Sequence, residues 1–259
     1  MSAAASRPDF LEAALRKDRL IVVAGLLTLA ALAWWYIVHT AATMEAHAGM
    51  SMPRARPWDL GETLGLAVMW IVMMIAMMIP SVTPVILLFA GVSRRRRVQG
   101  VLATPVWVFA LGYLLAWTGY AILAALTQSA LHSAALLSPA MASASPMLGG
   151  GILILTGLYQ WLPVKAACLA HCRSPLGFFS TEWREGVSGA LLMGFRHGSY
   201  CVGCCWALMA LLFVAGVMNL LWVVAIAGFV LIEKVAPKGR QLGRIAGVLL
   251  AGWGVWMVV

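Results

Sequence analysis

The chain has 259 residues, 63% of them hydrophobic and 10% charged, with a formal net charge of +9. Soluble domains carry about 25% charged residues, so this composition excludes a soluble globular protein and predicts a multi-pass membrane protein with the lipid bilayer as its first partner. The basic residues cluster beside apolar stretches, where they set topology, so no nucleic-acid partner is predicted.

Residues 1–19 read as a cytoplasmic N-terminal arm ending in Arg16, Lys17, Asp18 and Arg19, and residues 20–259 as one transmembrane helical domain. No cleavage site follows a short apolar core, so no signal peptide is predicted. The first span runs from about Leu20 to Val38 and closes on Trp34, Trp35 and Tyr36, rings that suit the headgroup level. An outer loop from His39 to Leu60 carries His39, Met44, His47, Met50 and Met52, for which soft-metal capture and chance both stay open. Trp58 and Asp59 read as an interface anchor and a helix N-terminal acid.

The second span starts near Gly61 and contains MWIVMMIAMMIP, with Pro80 and Pro84 predicted to kink or end its helix. A block of four arginines, Arg94 to Arg97, follows. No charged residue occurs from Val98 to Val164, which is room for two spans, about Val101–Thr127 and Met147–Val164. A Ser/Ala/Pro-rich loop from Gln128 to Pro146 joins them, and His132 reads as solvated. A fifth span lies within Val187–Val217, a sixth at about Leu220–Ile232, and a seventh runs from about Ile245 to the C-terminus. Spacings of the GxxxG kind at Gly61/Gly65, Gly194/Gly198 and Gly243/Gly247 would let helices approach closely. With the N-terminus in the cytoplasm, seven spans put fifteen of the eighteen basic residues inside and only Arg54 and Arg56 outside. That asymmetry supports the orientation.

Two clusters carry the candidate chemistry. In HGSYCVGCCWALM, His197, Cys201, Cys204 and Cys205 are spaced i, i+4, i+7 and i+8 and share one helical stripe. Cys168 and Cys172, with His171 beside them, share a face at the end of the fourth helix. A charged Arg196 at mid-bilayer would be expensive unless paired, so the fifth span is expected to begin near Gly198, with Val187–Phe195 as an interfacial helix. All five cysteines and both histidines then converge at the cytoplasmic edge. Glu233 and Lys234 read as an interfacial ion pair.

Thiolates select Cu(I), zinc or iron–sulfur chemistry. Met69, Met73 and Met77 repeat at i, i+4 and i+8 on the second span, and thioethers bind Cu(I) but hold zinc poorly, which leans the reading toward copper. Methionine also fills gaps in apolar helices, and cysteine is often a small buried hydrophobe, so a packing reading stands beside the metal one.

The blocks GLYQWLPVKAACLAHCRSPLGF, GFRHGSYCVGCCWALMALLFVAGVMNLLW, LIEKVAP and WIVMMIAMMIPS resemble those of the predicted metal-binding integral membrane proteins, often labelled membrane copper chaperones. The resemblance covers about Trp58 to the C-terminus. It implies copper handling, with delivery to a client copper oxidase such as a tyrosinase. The expectation is therefore an all-α bundle of about seven spans that binds Cu(I), zinc being the other soft candidate. Its predicted ligands are Cys168, His171, Cys172, His197, Cys201, Cys204 and Cys205, with Met69, Met73 and Met77 as weaker stepping sites. The alternative is a membrane thiol–disulfide oxidoreductase using Cys201 and Cys204, with Cys168 and Cys172 as a shuttle. A scaffold subunit with inert cysteines is the third reading.

Overall fold

The computed structural model describes residues 7–48, 59–100, 104–138 and 141–259. Met50, Met52, Arg54, Arg56 and Trp58 lie outside the described residues. The described residues form ten helices: α1 (Arg7–Ala48), α2 (Leu60–Val98), α3 (Val106–Ser133), α4 (Pro146–Tyr159), α5 (Pro163–Arg173), α6 (Pro175–Glu182), α7 (Gly186–Ala210), α8 (Leu212–Ala215), α9 (Leu220–Val235) and α10 (Gly239–Val258). Five segments are long and apolar enough to cross a membrane: 19–44, 60–97, 106–133, 186–215 and 239–258. A sixth is reached if α4 and α5, bent by 65°, count as one broken span. α9, at 16 residues, is only about 24 Å long, short of a hydrocarbon core of about 30 Å.

The helices exceed the expected spans wherever no breaker intervenes. α1 includes part of the expected arm and continues past Val38 to Ala48, because strong helix formers, Ala, Leu, Glu, Arg and Lys in the first extension and Ala, Met and Glu in the second, make up most of each. α2 passes through Pro80 and Pro84 without ending. Each proline deprives the carbonyl four residues earlier, Ala76 or Pro80, of its backbone donor, while Ser81 Oγ donates to Met78 O at 3.0 Å and Thr83 Oγ1 to Ile79 O at 2.8 Å in the same turn. At its start Asp59 is the N-cap, accepting from Glu62 N at 2.8 Å while Glu62 Oε2 accepts from Asp59 N at 2.9 Å.

Two expectations are corrected. The fourth helix does not carry the first cysteine pair. It ends at Tyr159, and Cys168 and Cys172 sit on the separate α5. Pro163 has no N–H and holds Leu162 in extended backbone (φ −67°, ψ 140°), which forces the break. Likewise Val187–Phe195 is no interfacial helix but the first part of a continuous α7, with Cys201 to Cys205 well inside it. Arg196 can lie within that helix because its guanidinium is paired with Glu182.

Small residues bring the cysteine-bearing helix against its neighbours. A Cβ at Gly112 would strike the backbone of Leu191, and one at Gly194 or Gly198 the backbone of Phe109 or Tyr113. α3 and α7 therefore pack backbone to backbone and run parallel, since Phe109 meets Gly194 and Tyr120 meets Trp206 further along both helices, the close approach small residues permit where lipid removes the usual hydrophobic drive. α4 and α10 also pack backbone to backbone, but antiparallel, through Gly150 against Gly254 and Gly157 against Gly247. Of the three expected GxxxG spacings, Gly61/Gly65 is unused, since Gly65 faces open space. α2 packs against α1, α3 and α9, and its methionines Met69, Met73, Met74, Met77 and Met78 are all buried in the core.

Candidate metal centre

The α7 stripe predicted by spacing is buried as a unit: His197, Cys201, Cys204 and Cys205 are each 2% exposed or less. α5 lies across α7 and brings Cys172 Sγ to 3.9 Å from Cys204 Sγ. All five cysteines are free thiols. The sulfurs that meet therefore come from two separate helices, α5 and α7, joined through the short α6.

The gap between Cys172 and Cys204 can be tested against a metal–sulfur bond. An ion about 2.3 Å from each sulfur would fit that gap with a S–metal–S angle of about 116°, between tetrahedral and trigonal. Two thiolates at this separation match a soft cation of low coordination number. Among the described residues no three His, Cys, Asp or Glu side chains are set around a common centre, so the arrangement is a pair with further donors beside it.

Those donors are held in place by their own helix. Cys204 Sγ and Cys205 Sγ both donate to the Cys201 carbonyl, at 3.1 Å and 2.9 Å. Cys201 Sγ also meets Tyr113 Oη on α3 at 3.0 Å and Lys234 Nζ on α9 at 3.0 Å. Lys234 Nζ also donates to Ser81 Oγ on α2 at 3.0 Å. Four helices thus contribute to one polar knot, with a positive group against a sulfur and, among the described residues, no carboxylate in contact with it.

Sequence reasoning missed Lys234, Tyr113 and Ser81. It paired Lys234 with Glu233, which the structure corrects: Glu233 bonds Lys165 at 2.7 Å, and both side chains are 2% exposed. Adjacent residues on a helix point about 100° apart and do not face each other, which was the available signal. Gln160 also accepts from Lys165, and Arg173 Nη1 donates to the Glu233 carbonyl at 2.7 Å, so this second knot fastens α5 to α9.

The histidines divide. His197 is buried between Phe178 of α6 (ring centroids 5.1 Å apart) and Tyr113 of α3 (6.2 Å), and its Nδ1 has no hydrogen-bond partner. An orphaned imidazole nitrogen one turn before Cys201 is a donor in reserve. His171 is exposed, bonded through Nδ1 to the Ala167 carbonyl at 2.9 Å and stacked on Tyr200 with centroids 4.2 Å apart. Met69, Met73 and Met77 lie one to three turns before Ser81 on α2, so their stripe leads along about 18 Å of helix toward the Lys234 knot. His39 stacks on Trp35 within α1, with centroids 5.6 Å apart.

No curated protein and no solved structure matches the chain. Residues 67–257, which take in both cysteine clusters, match the copper chaperone family PpoB2. That match covers most of the chain, which belongs to this copper chaperone family.

Proposed function

We propose that the protein carries Cu(I) within the cytoplasmic membrane of a bacterium and hands it to a client copper enzyme, such as a copper oxidase. Copper is its cargo. Cys172 and Cys204 are the primary holding pair, Cys201 and Cys205 the neighbouring sulfurs, and His197 the nitrogen donor in reserve. The observation that carries this reading is the 3.9 Å approach of two thiols from different helices. The chain crosses the membrane seven times, with α4 and α9 as short crossings and the N-terminus inside. The fifteen-to-two distribution of basic residues supports that orientation. Met69, Met73 and Met77 are weaker thioether stations on the way to the holding pair, and they favour copper over zinc.

The test is copper content of the purified protein in detergent under reducing conditions, wild type beside C172S/C204S. Wild type is expected to retain copper against washing and the double variant to lose it. Copper that persists in the double variant moves the holding site to the remaining cysteines or to the methionines, and loss of the remaining three cysteines as well separates those two. Absence of copper from both, with a disulfide cycling between Cys172 and Cys204, would establish the oxidoreductase instead.

A further inference from the structure

The five cysteines differ in their access to the outside. Cys172 is 8% exposed, Cys201 and Cys204 1% each, and Cys205 0%, whereas Cys168 stands half-buried at the surface between α5 and α7. A buried holding pair keeps copper well but gives an incoming ligand no line of attack. Some sulfur must meet both the pair and the partner.

The geometry points to Cys168 as that sulfur: we propose that copper is released to the partner through Cys168, along a path that Gly203 keeps open. The proposal rests on the copper-carrier reading and adds to it the order in which sulfurs exchange. Cys168 is one turn before Cys172 on the same face of α5, a spacing that puts their Cβ atoms about 5–6 Å apart. Its Sγ also lies against Gly203, the residue before Cys204. A Cβ on Gly203 would come within 2.8 Å of that sulfur and 3.6 Å of the Cys168 Cβ. Any larger residue at 203 would stand where the Cys168 sulfur now sits. Cys168 thus borders both members of the pair, and a change of rotamer is enough to carry its sulfur between them and the surface.

Exchange then proceeds one bond at a time. The Cys168 thiol loses its proton as its sulfur bonds copper, and Cys172 or Cys204 takes up a proton as its own bond to copper breaks. A thiol of the receiving partner next displaces Cys168 in the same way. Copper stays in the +1 state throughout, and no electron moves.

Three measurements on the full-length protein in detergent test the order. In the first, copper-loaded protein is mixed with a water-soluble Cu(I) chelator and release is followed in time. C168S is expected to hold the same equilibrium copper as wild type and release it at least about tenfold more slowly. G203A, which retains the thiol but crowds it, should slow release in the same direction. In the third, a charged maleimide applied to the apo-protein should label Cys168 before the other four cysteines, and bound copper should protect it. Release from C168S at the wild-type rate overturns the proposal while leaving the carrier reading intact. Complete loss of copper from C168S also overturns it, because Cys168 would then be a holding ligand. A wild type that takes up no copper sinks the carrier reading, and this inference with it.

Discussion

Glu233 and Lys234 are neighbours in sequence and belong to two different centres. Glu233 turns toward α5 and closes on Lys165, a carboxylate with an ammonium 2.7 Å away. Lys234 turns toward α2, α3 and α7 and meets a hydroxyl and the Cys201 sulfur at 3.0 Å each. The first centre is neutral as it stands, so its function is fastening. The second holds a cation beside sulfurs with no carboxylate in contact among the described residues, so there its charge is balanced when those sulfurs carry charge themselves. One helical step thus separates a structural ion pair from the group that tunes the sulfur cluster.

The largest effect should follow from breaking the closed pair. K165M leaves the Glu233 carboxylate buried without its counter-charge and should lower stability by roughly 3–5 kcal/mol, read as thermal unfolding in detergent. K165M/E233L, which removes both charges, should recover most of that loss. If the double variant is as unstable as the single, the pair does more than cancel charge and the comparison fails at its first half.

K234M should behave in the opposite manner. It removes a buried ammonium that has no carboxylate to abandon, so the apo-protein should unfold near the wild-type temperature. The copper-loaded sulfurs, however, lose a charge-assisted hydrogen bond worth about 1.5–3 kcal/mol, a weakening of copper binding by about 10- to 150-fold. Competition with a Cu(I) chelator measures it. Apo-K234M destabilised as severely as K165M would erase the distinction between the two lysines.

A smaller effect separates the centres by packing. Gly243 on α10 lies against the Glu233 carboxylate, and a Cβ there would strike it. G243A should cost about 1–3 kcal/mol of stability, with copper binding untouched. G65A, where the new methyl meets nothing, is the control and should be neutral or slightly stabilising.

These contrasts also show what could be read from the chain alone. The cysteine stripe on α7 was legible because His197, Cys201, Cys204 and Cys205 are local: helical spacing alone puts them on one face. The Asp59 cap and the close approach at Gly194 and Gly198 were legible for the same reason. The break at Pro163 was written in the sequence but masked by the apolar run on either side. The partners of Lys165 and Lys234 were not legible, because choosing them requires knowing how α5, α9 and α2 are arranged, and local spacing carries no such information. His171 and Cys172 show the limit best. They are adjacent in sequence and alike as ligands, yet one stacks on Tyr200 at the surface and the other meets Cys204 inside.

The smallest expected effect concerns the stripe that leads to the Lys234 centre. Met69, Met73 and Met77 are buried and packed, and leucine has nearly the same volume, so M69L/M73L/M77L should change stability by less than about 1.5 kcal/mol. If packing is their whole role, copper loading of the triple variant will match wild type in both rate and extent. If the thioethers are stations, equilibrium copper will again match, since Cys172 and Cys204 remain, but loading from the side of Met69 will slow. Vesicles in which copper is supplied from one side at a time distinguish the two outcomes. Slowing from the Met69 side only would make the stripe a one-ended path that ends where Ser81 meets Lys234, and would tie the open centre, not the closed one, to the movement of cargo.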